Sequence, residues 1–241
     1  MPRMQSLLYT IWADAMTLND TTLSSQLVPD ISPKVPAHQH VYERLRACIL
    51  FGDLAPGQPV TIQGLAATLS AGMTPVREAL RRLIAEGALV HQGNRRVSVP
   101  VLTRAGVKEM GFMRQHLEGE LARRAAIRMT PTDLAKLIQI DTALNDAISR
   151  GNIGDYLTQN YRFHNEVYRC ADAPIMAESV DRLWLLFGPS LRVVCGRFGT
   201  LNLPDKHADL LAAFGANDAA AAATAMVEDV AQGMRQIQTS L

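Results

Sequence analysis

From Val41 onward apolar residues recur at helical spacing, with Val41, Leu45, Cys48 and Ile49 on one face until Gly52 ends the run. The Pro56-Gly57 pair predicts a turn, after which Thr61 caps a second helix with Ile62, Leu65, Ala66 and Leu69 on its buried side. A third helix follows within a few residues. Val76, Ala79, Leu80, Leu83 and Ile84 make its inner stripe, Pro75 is expected at its first position, and Glu86-Gly87 stops it. There the period changes to two: Val97 and Val99 alternate opposite Leu89, with Gly93-Asn94 as a tight hairpin turn. Helix, helix, turn, helix and hairpin predict a winged helix-turn-helix.

Beyond Pro100 the pattern stays helical. Thr103 caps a long helix to about Met129, and Thr130-Pro131-Thr132-Asp133 opens a second that ends near Gly151. A third runs from about Asp155 to Cys170; Pro174 opens a fourth towards Arg197, Pro204-Asp205 a fifth, and Asn217 or Asp218 caps an alanine-rich last one. With no strand-like alternation among them, these helices predict an all-α antiparallel bundle. Ahead of Val41, residues 16–40 are rich in Thr, Ser and Pro without sustained apolar periodicity. The expected organisation is a mobile arm over residues 1–39, a winged helix-turn-helix over 40–102 and a helical bundle over 103–241, a mostly α fold.

Composition bounds the function. The 241 residues are 48% hydrophobic and 20% charged, enough to build substantial cores, and no window approaches the roughly 20 apolar residues of a membrane span. Cys48, Cys170 and Cys195 form no CxxC pair, which suits a reducing cytoplasm. The opening "MPRMQSLLYTIWADAM" loosely mimics a signal peptide, but its apolar run is short and broken, so secretion is not expected. The formal net charge of +1 hides an asymmetry: residues 40–102 carry 7 basic and 4 acidic side chains. That excess is modest for a nucleic-acid protein, so charge alone does not decide the matter.

The third helix is more specific. Thr74, Arg77 and Arg81 line its outer side in "MTPVREALRRLIAEG". A recognition helix needs such a polar stripe opposite its buried one. Arg77 suits a bidentate contact with a guanine edge, and Thr74 a phosphate at the helix start. Arg95 and Arg96, beside the hairpin tip at Gly93, suit a minor groove or the backbone. The alternative is a merely solvated basic face. The run "GDLAPGQPVTIQGLAATLSAGMTPVREALRRLIAEGALV" closely resembles the amino-terminal domain of GntR-family transcription regulators. The resemblance implies a dimer that reads a short palindromic operator. Two DNA-facing positions depart from the family pattern: Gly72-Met73 stands where Ser-Arg is usual, and Gln63 where a basic residue is frequent. The operator preference is therefore expected to be this chain's own.

In the bundle, His164 and His207 fall at positions that invite a metal. Asn160 and His164 are four apart and share a helix face. His207 and Asp229 flank the loop near residue 216, at about 12 and 16 Å from it at 1.5 Å per residue, so they can share a layer. The stretches "RQHLEGELARRAA", "NYRFHNEVYRCADAPIM" and "HADLLAAFGANDAAAA" resemble the FCD class of helical effector domains. That resemblance implies a divalent metal, zinc or nickel in type, held by Asn160, His164, His207 and Asp229, with a small carboxylate effector bound through it. Asn160 stands for the family's Asp and Asp229 for its His, so the carboxylate has moved and the total ligand charge is unchanged. The alternative is that both histidines belong to a polar network in a domain without metal. Arg114 and Glu118 match the family's R-x-x-L-E, which implies an arginine facing the effector; a structural i,i+4 ion pair is the competing reading. His116 lies on another face and is not read as a ligand. Trp184, Phe187 and Arg192 lie on the fourth helix, where aromatic residues at helical spacing read as core rather than cavity wall.

The sequence thus predicts a ligand-responsive DNA-binding regulator, a repressor acting as a cytoplasmic homodimer. It is not expected to be an enzyme, since no general base or nucleophile with a convincing partner accompanies the two histidines. The alternatives are the same regulator without metal, filled by a larger organic ligand such as an acyl thioester, and a helical metalloenzyme.

Overall fold

The computed structural model describes residues 37–93, 96–198 and 206–241. Arg95, the helix start at Pro204-Asp205 and the arm up to residue 36 lie outside the described residues.

Helix α1 spans Ala37–Leu50, so residues 37–39, assigned to the arm from composition, are helical. Gln39 gives part of the reason: its side chain donates to Glu43 one turn on at 2.8 Å and accepts from Arg82 at 3.2 Å. Strand β1, Pro59–Val60, leads to α2, Ile62–Leu69, whose cap Thr61 accepts from the Gly64 amide at 3.0 Å. Ser70, left-handed at φ 50°, turns the chain into α3, Met73–Ala85. This helix starts earlier than the Thr-Pro pair suggests, with Gly72 as cap, so Pro75 is its third residue and not its first. The proline still breaks nothing, because the first four amides of a helix have no partner inside it.

Strands β2, Val90–Gln92, and β3, Arg96–Ser98, pair antiparallel with Gln92 opposite Arg96. Of the turn expected at Gly93-Asn94 between them, Asn94 lies outside the described residues. β1 adds to the other edge of β3 to give the order β1-β3-β2. Two residues are too few to show alternation, which is why this strand is invisible in the sequence pattern.

Helices α4 (Arg104–Arg128), α5 (Pro131–Ser149), α6 (Ile153–Ala171), α7 (Pro174–Phe198), α8 (Lys206–Gly215) and α9 (Ala219–Ser240) form the bundle. Their starts follow local chemistry. Thr103 accepts from Gly106 at 3.1 Å, Thr130 and Asp133 close a capping box, and Asp218 accepts from Ala220 and Ala221. α4 and α9 pack along each other, burying Leu121, Ala122 and Ala125 against a face that includes Ala222, Met226 and Val230. Among the described residues, no helix is long and apolar enough to cross a membrane.

The winged unit docks on the bundle through α1 and α7. The approach is so close that a Cβ on Gly188 would lie 2.1 Å from the Leu50 carbonyl oxygen. Gly52, at φ +71°, sits against Arg192, whose guanidinium donates to the Phe51 carbonyl at 3.2 Å.

Candidate DNA-facing surface and metal centre

In the winged unit the arginines divide into two groups. Arg44 donates to the Leu69 carbonyl at 2.7 Å, Arg46 pairs with Asp181 at 2.5 Å, and Arg82 pairs with Glu86 at 3.0 Å while lying over the Tyr42 ring. Arg77, Arg81 and Arg96 are exposed and make no ion pair among the described residues. α3 holds the first two by burying Val76, Ala79, Leu80 and Leu83 on its opposite side. Thr74 and Met73 are exposed in the first turn, where the Gly72 cap makes no side-chain hydrogen bond, so amides at that end stay open to an anion. Gln63 is exposed in the first turn of α2, and Gly93 at the wing. The winged unit thus presents three guanidinium groups that form no ion pair among the described residues, two on α3 and one on the wing.

Inside the bundle, His164 of α6, His207 of α8 and Asp229 of α9 each bring one donor atom, all within 4.8 Å of one another. Two outer carboxylates set the rings. His164 Nδ1 lies 3.0 Å from Glu118 Oε2, and His207 Nδ1 lies 3.2 Å from Asp141 Oδ1. His164 Nε2 then faces Asp229 Oδ2 at 3.2 Å, and His207 keeps its Nε2 for another partner. His207 is further fixed by stacking on Phe163, with ring centroids 3.9 Å apart. Burial works against a charge on His164, but the hydrogen bonds and charges of Asp229 and Glu118 raise its pKa to about 9. Burial likewise opposes ionisation of Asp229, yet His164 holds that carboxyl down at about 2.

The residues fit a divalent ion. Two imidazoles and a carboxylate converge, and each imidazole has its remote nitrogen on a carboxylate, the arrangement by which metal-binding histidines are oriented. Asn160, one turn before His164, lines the same cavity as Asp229 and can add an amide oxygen. This cavity has a volume of about 50 Å³.

Arg114 forms the i,i+4 ion pair and also borders the cavity. Its Nε donates to Glu118 at 2.5 Å as the i,i+4 pair, and the residue also lines the cavity with its guanidinium over the Phe187 ring at 4.1 Å and the Trp184 ring at 4.8 Å. Glu118 is fully buried behind it, shared by Arg114, His164 and the Tyr168 hydroxyl. Burial opposes its charge, and Arg114 and His164 hold its carboxyl below the usual range. Trp184 and Phe187 are buried, as core residues should be, but both also line the cavity, which corrects the reading of them as core alone. His116 is exposed and away from the site.

Asp141, Gln232 and Gln236 went unnoticed in the sequence. A signal for Asp141 existed: it occupies the inward stripe Leu137, Asp141, Leu144, Ala147, where a carboxylate requires a partner. Gln232 and Gln236 stand three and seven residues after Asp229, on its face of α9, and line the cavity with it.

The two halves match two family descriptions. Residues 37–99 match "Bacterial regulatory proteins, gntR family" and residues 109–232 match the FCD domain. The chain belongs to the GntR family of regulators, in the branch that carries an FCD domain. It is a transcriptional regulator, not an enzyme. The GntR/FCD chain is 31% identical to the HTH-type transcriptional regulator McbR of Escherichia coli K12 over 147 residues, 61% of this chain and 66% of McbR. It is 26% identical to the HTH-type transcriptional repressor RspR of the same organism over 215 residues, 86% of this chain and 93% of RspR. The solved structure of E. coli McbR/YncC superposes with a TM-score of 0.80 at 27% identity, covering 86% of this chain and 99% of that one. A GntR regulator from Rhodococcus sp. RHA1, at 19% identity and TM-score 0.72 over 86% of this chain and all of its own, shares the fold.

Proposed function

We propose that this GntR/FCD regulator is a homodimeric repressor that grips a short palindromic operator and releases it in response to a small organic acid bound through a divalent metal. The convergence of His164, His207 and Asp229 beside the arginine-bearing cavity is the observation that carries the effector half of this reading. Two imidazoles with carboxylate and amide oxygens suit zinc or nickel. Such an ion, when bound, supplies a Lewis-acidic point to which a carboxylate oxygen attaches. Arg114, neutralised on one side by Glu118, offers its remaining donors to the same ligand. The cavity of about 50 Å³ is small beside the roughly 300–1,000 Å³ of pockets for drug-sized ligands, which favours a compact acid over an acyl thioester.

On the DNA side, Arg77 reads a base edge, Thr74 and the α3 amides take a phosphate, and Arg81, Arg95 and Arg96 with Gly93 follow the backbone or the minor groove. Gln63 in the first turn of α2, with Met73 and Pro75 in the first turn of α3, sets this chain's own preference. Phe112, Met113 and Ile127, exposed on α4, give a second copy apolar side chains to cover. The repressor sign leans on the name of RspR, and a cytoplasmic site of action accords with a role on DNA.

The deciding experiment measures metal in the purified protein by mass spectrometry, then affinity for a duplex selected from a randomised pool. Stoichiometric zinc or nickel that is lost in His164→Ala, together with an effector-sensitive operator complex, is expected. Unaltered metal content in His164→Ala would remove the assigned centre.

A further inference from the structure

Arg46 is 4% exposed on the bundle-facing side of α1. Its Nη2 donates to Asp181 Oδ2 of α7 at 2.5 Å, and the other oxygen of that carboxylate accepts from the Tyr161 hydroxyl of α6, also at 2.5 Å. The pair adds little net stability, because the Arg46 guanidinium loses its water while Asp181 stays 31% exposed. What such a triad of polar groups does well is fix one placement of three helices, since any other leaves a charge unsatisfied.

The triad stands directly against the cavity wall. The Tyr161 ring meets Trp184 edge-on at 5.4 Å and Phe51, just past α1, at 5.8 Å. Trp184 follows Asp181 by three residues on α7, hence on the same face. It also contacts the His164 ring at 5.2 Å and the Arg114 guanidinium at 4.8 Å. In the other direction α1 grips the reading helix: the Tyr42 hydroxyl donates to Glu86 at 2.9 Å and Arg82 covers the Tyr42 ring. From the cavity to α3 the steps are side-chain contacts, joined between Arg46 and Tyr42 by one turn of α1. α7 itself has a weak point, because Pro189 offers no amide to the Leu185 carbonyl.

We infer that Asp181 is the positioning residue through which the cavity wall, by way of Trp184 and Tyr161, holds Arg46 and so the DNA-binding head. This rests on the function proposed above and names the seam by which the two sites act on each other. Away from the cavity Trp184 rests on the Tyr161 ring, so a shift of Trp184 towards that side displaces Tyr161 and the carboxylate it binds. Linkage makes the effect reciprocal: operator binding acts on the cavity as the cavity acts on operator binding.

The test uses the full chain with Trp12→Phe, which leaves Trp184 as the single tryptophan of the two in the sequence. The probes are zinc chloride alone and the selected operator duplex. Operator binding is expected to change Trp184 emission, and zinc to change operator affinity by about fivefold or more. In Asp181→Asn and in Tyr161→Phe both responses should collapse towards none, while zinc affinity by calorimetry and operator affinity without zinc persist. Tyr161→Phe keeps the ring and removes only the hydroxyl, so it remains informative if Asp181→Asn, which strands Arg46, fails to fold. A purely structural role would lower Tm and leave the coupling ratio alone. Wild-type coupling in a folded variant, or operator binding without any change in Trp184, overturns this inference while leaving the proposed function standing. Failure to bind any duplex overturns both.

Discussion

The Nδ1 of His207 lies 3.2 Å from Oδ1 of Asp141, a carboxylate from another helix that is itself held by Asn145 at 3.0 Å. His207 is thereby oriented from behind by a residue that contributes no donor to the three-residue cluster. Asp141→Ala is expected to weaken zinc binding by about 10–100-fold, the usual effect of removing such an outer partner. Competition titration against a chelating dye checks this, with circular dichroism confirming the fold. An unchanged dissociation constant would leave Asp141 with a packing role only.

Arg77 and Arg82 lie five residues apart on α3 and should fail differently. Arg77→Ala is expected to cost about 1–3 kcal/mol against the selected operator and little against random duplex. Arg82→Ala should leave that discrimination intact but lower stability by up to about 1 kcal/mol, through its exposed ion pair with Glu86 and its contact with Tyr42. Paired gel-shift and chemical denaturation measurements on both variants decide; equal losses of discrimination would refute the division.

Gly188→Ala forces a methyl group to within 2.1 Å of the Leu50 carbonyl oxygen, and neither backbone can yield cheaply. The variant should lose about 1–3 kcal/mol and expose the α1–α7 seam. Denaturant unfolding with limited proteolysis around Gly52 reports it. A variant with wild-type Tm and wild-type cleavage would show that α1 does not rest on α7 in solution.

At the start of α5, the Thr130 hydrogen bond, followed by Arg169, holds the Asp133 carboxyl below its usual range, against slight burial. A depressed carboxyl contributes stability above its unfolded value of about 3.9 and loses it as pH falls through the folded value. Asp133→Asn should therefore lower stability at neutral pH and flatten its decline below about pH 4. Denaturation midpoints from pH 7 to 3 test this, and parallel curves for the two proteins would count against it.

Much of this was legible beforehand because local chemistry sets local structure. Thr61, Thr103, Thr130 and Asp218 cap where they were expected to, and the buried stripe of α3 matches Val76, Ala79, Leu80 and Leu83. What escaped was set by partners distant in the chain. β1 exists only because β3 lies beside it, and Gln39 is helical partly through Arg82. In the site, the spacing of Asn160 and His164 was readable, whereas the pairing of Glu118 and Asp141 with the two imidazoles depends on how four helices meet. Trp184 shows the limit plainly: aromatic spacing marked it as interior, and nothing in the sequence said that the interior had a hollow there.

The seam at Gly188 bears on how interchangeable the parts of such regulators are. Only five residues, Val99 to Thr103, join β3 to α4, and a graft cut within them looks harmless on paper. Yet the head is fastened by α1, at the far end of its own sequence, to a bare patch on α7. A transplanted head would need an arginine at the place of Arg46 and a backbone that tolerates that patch. Without them, the hybrid would still recognise its promoter but lose the coupling inferred through Asp181.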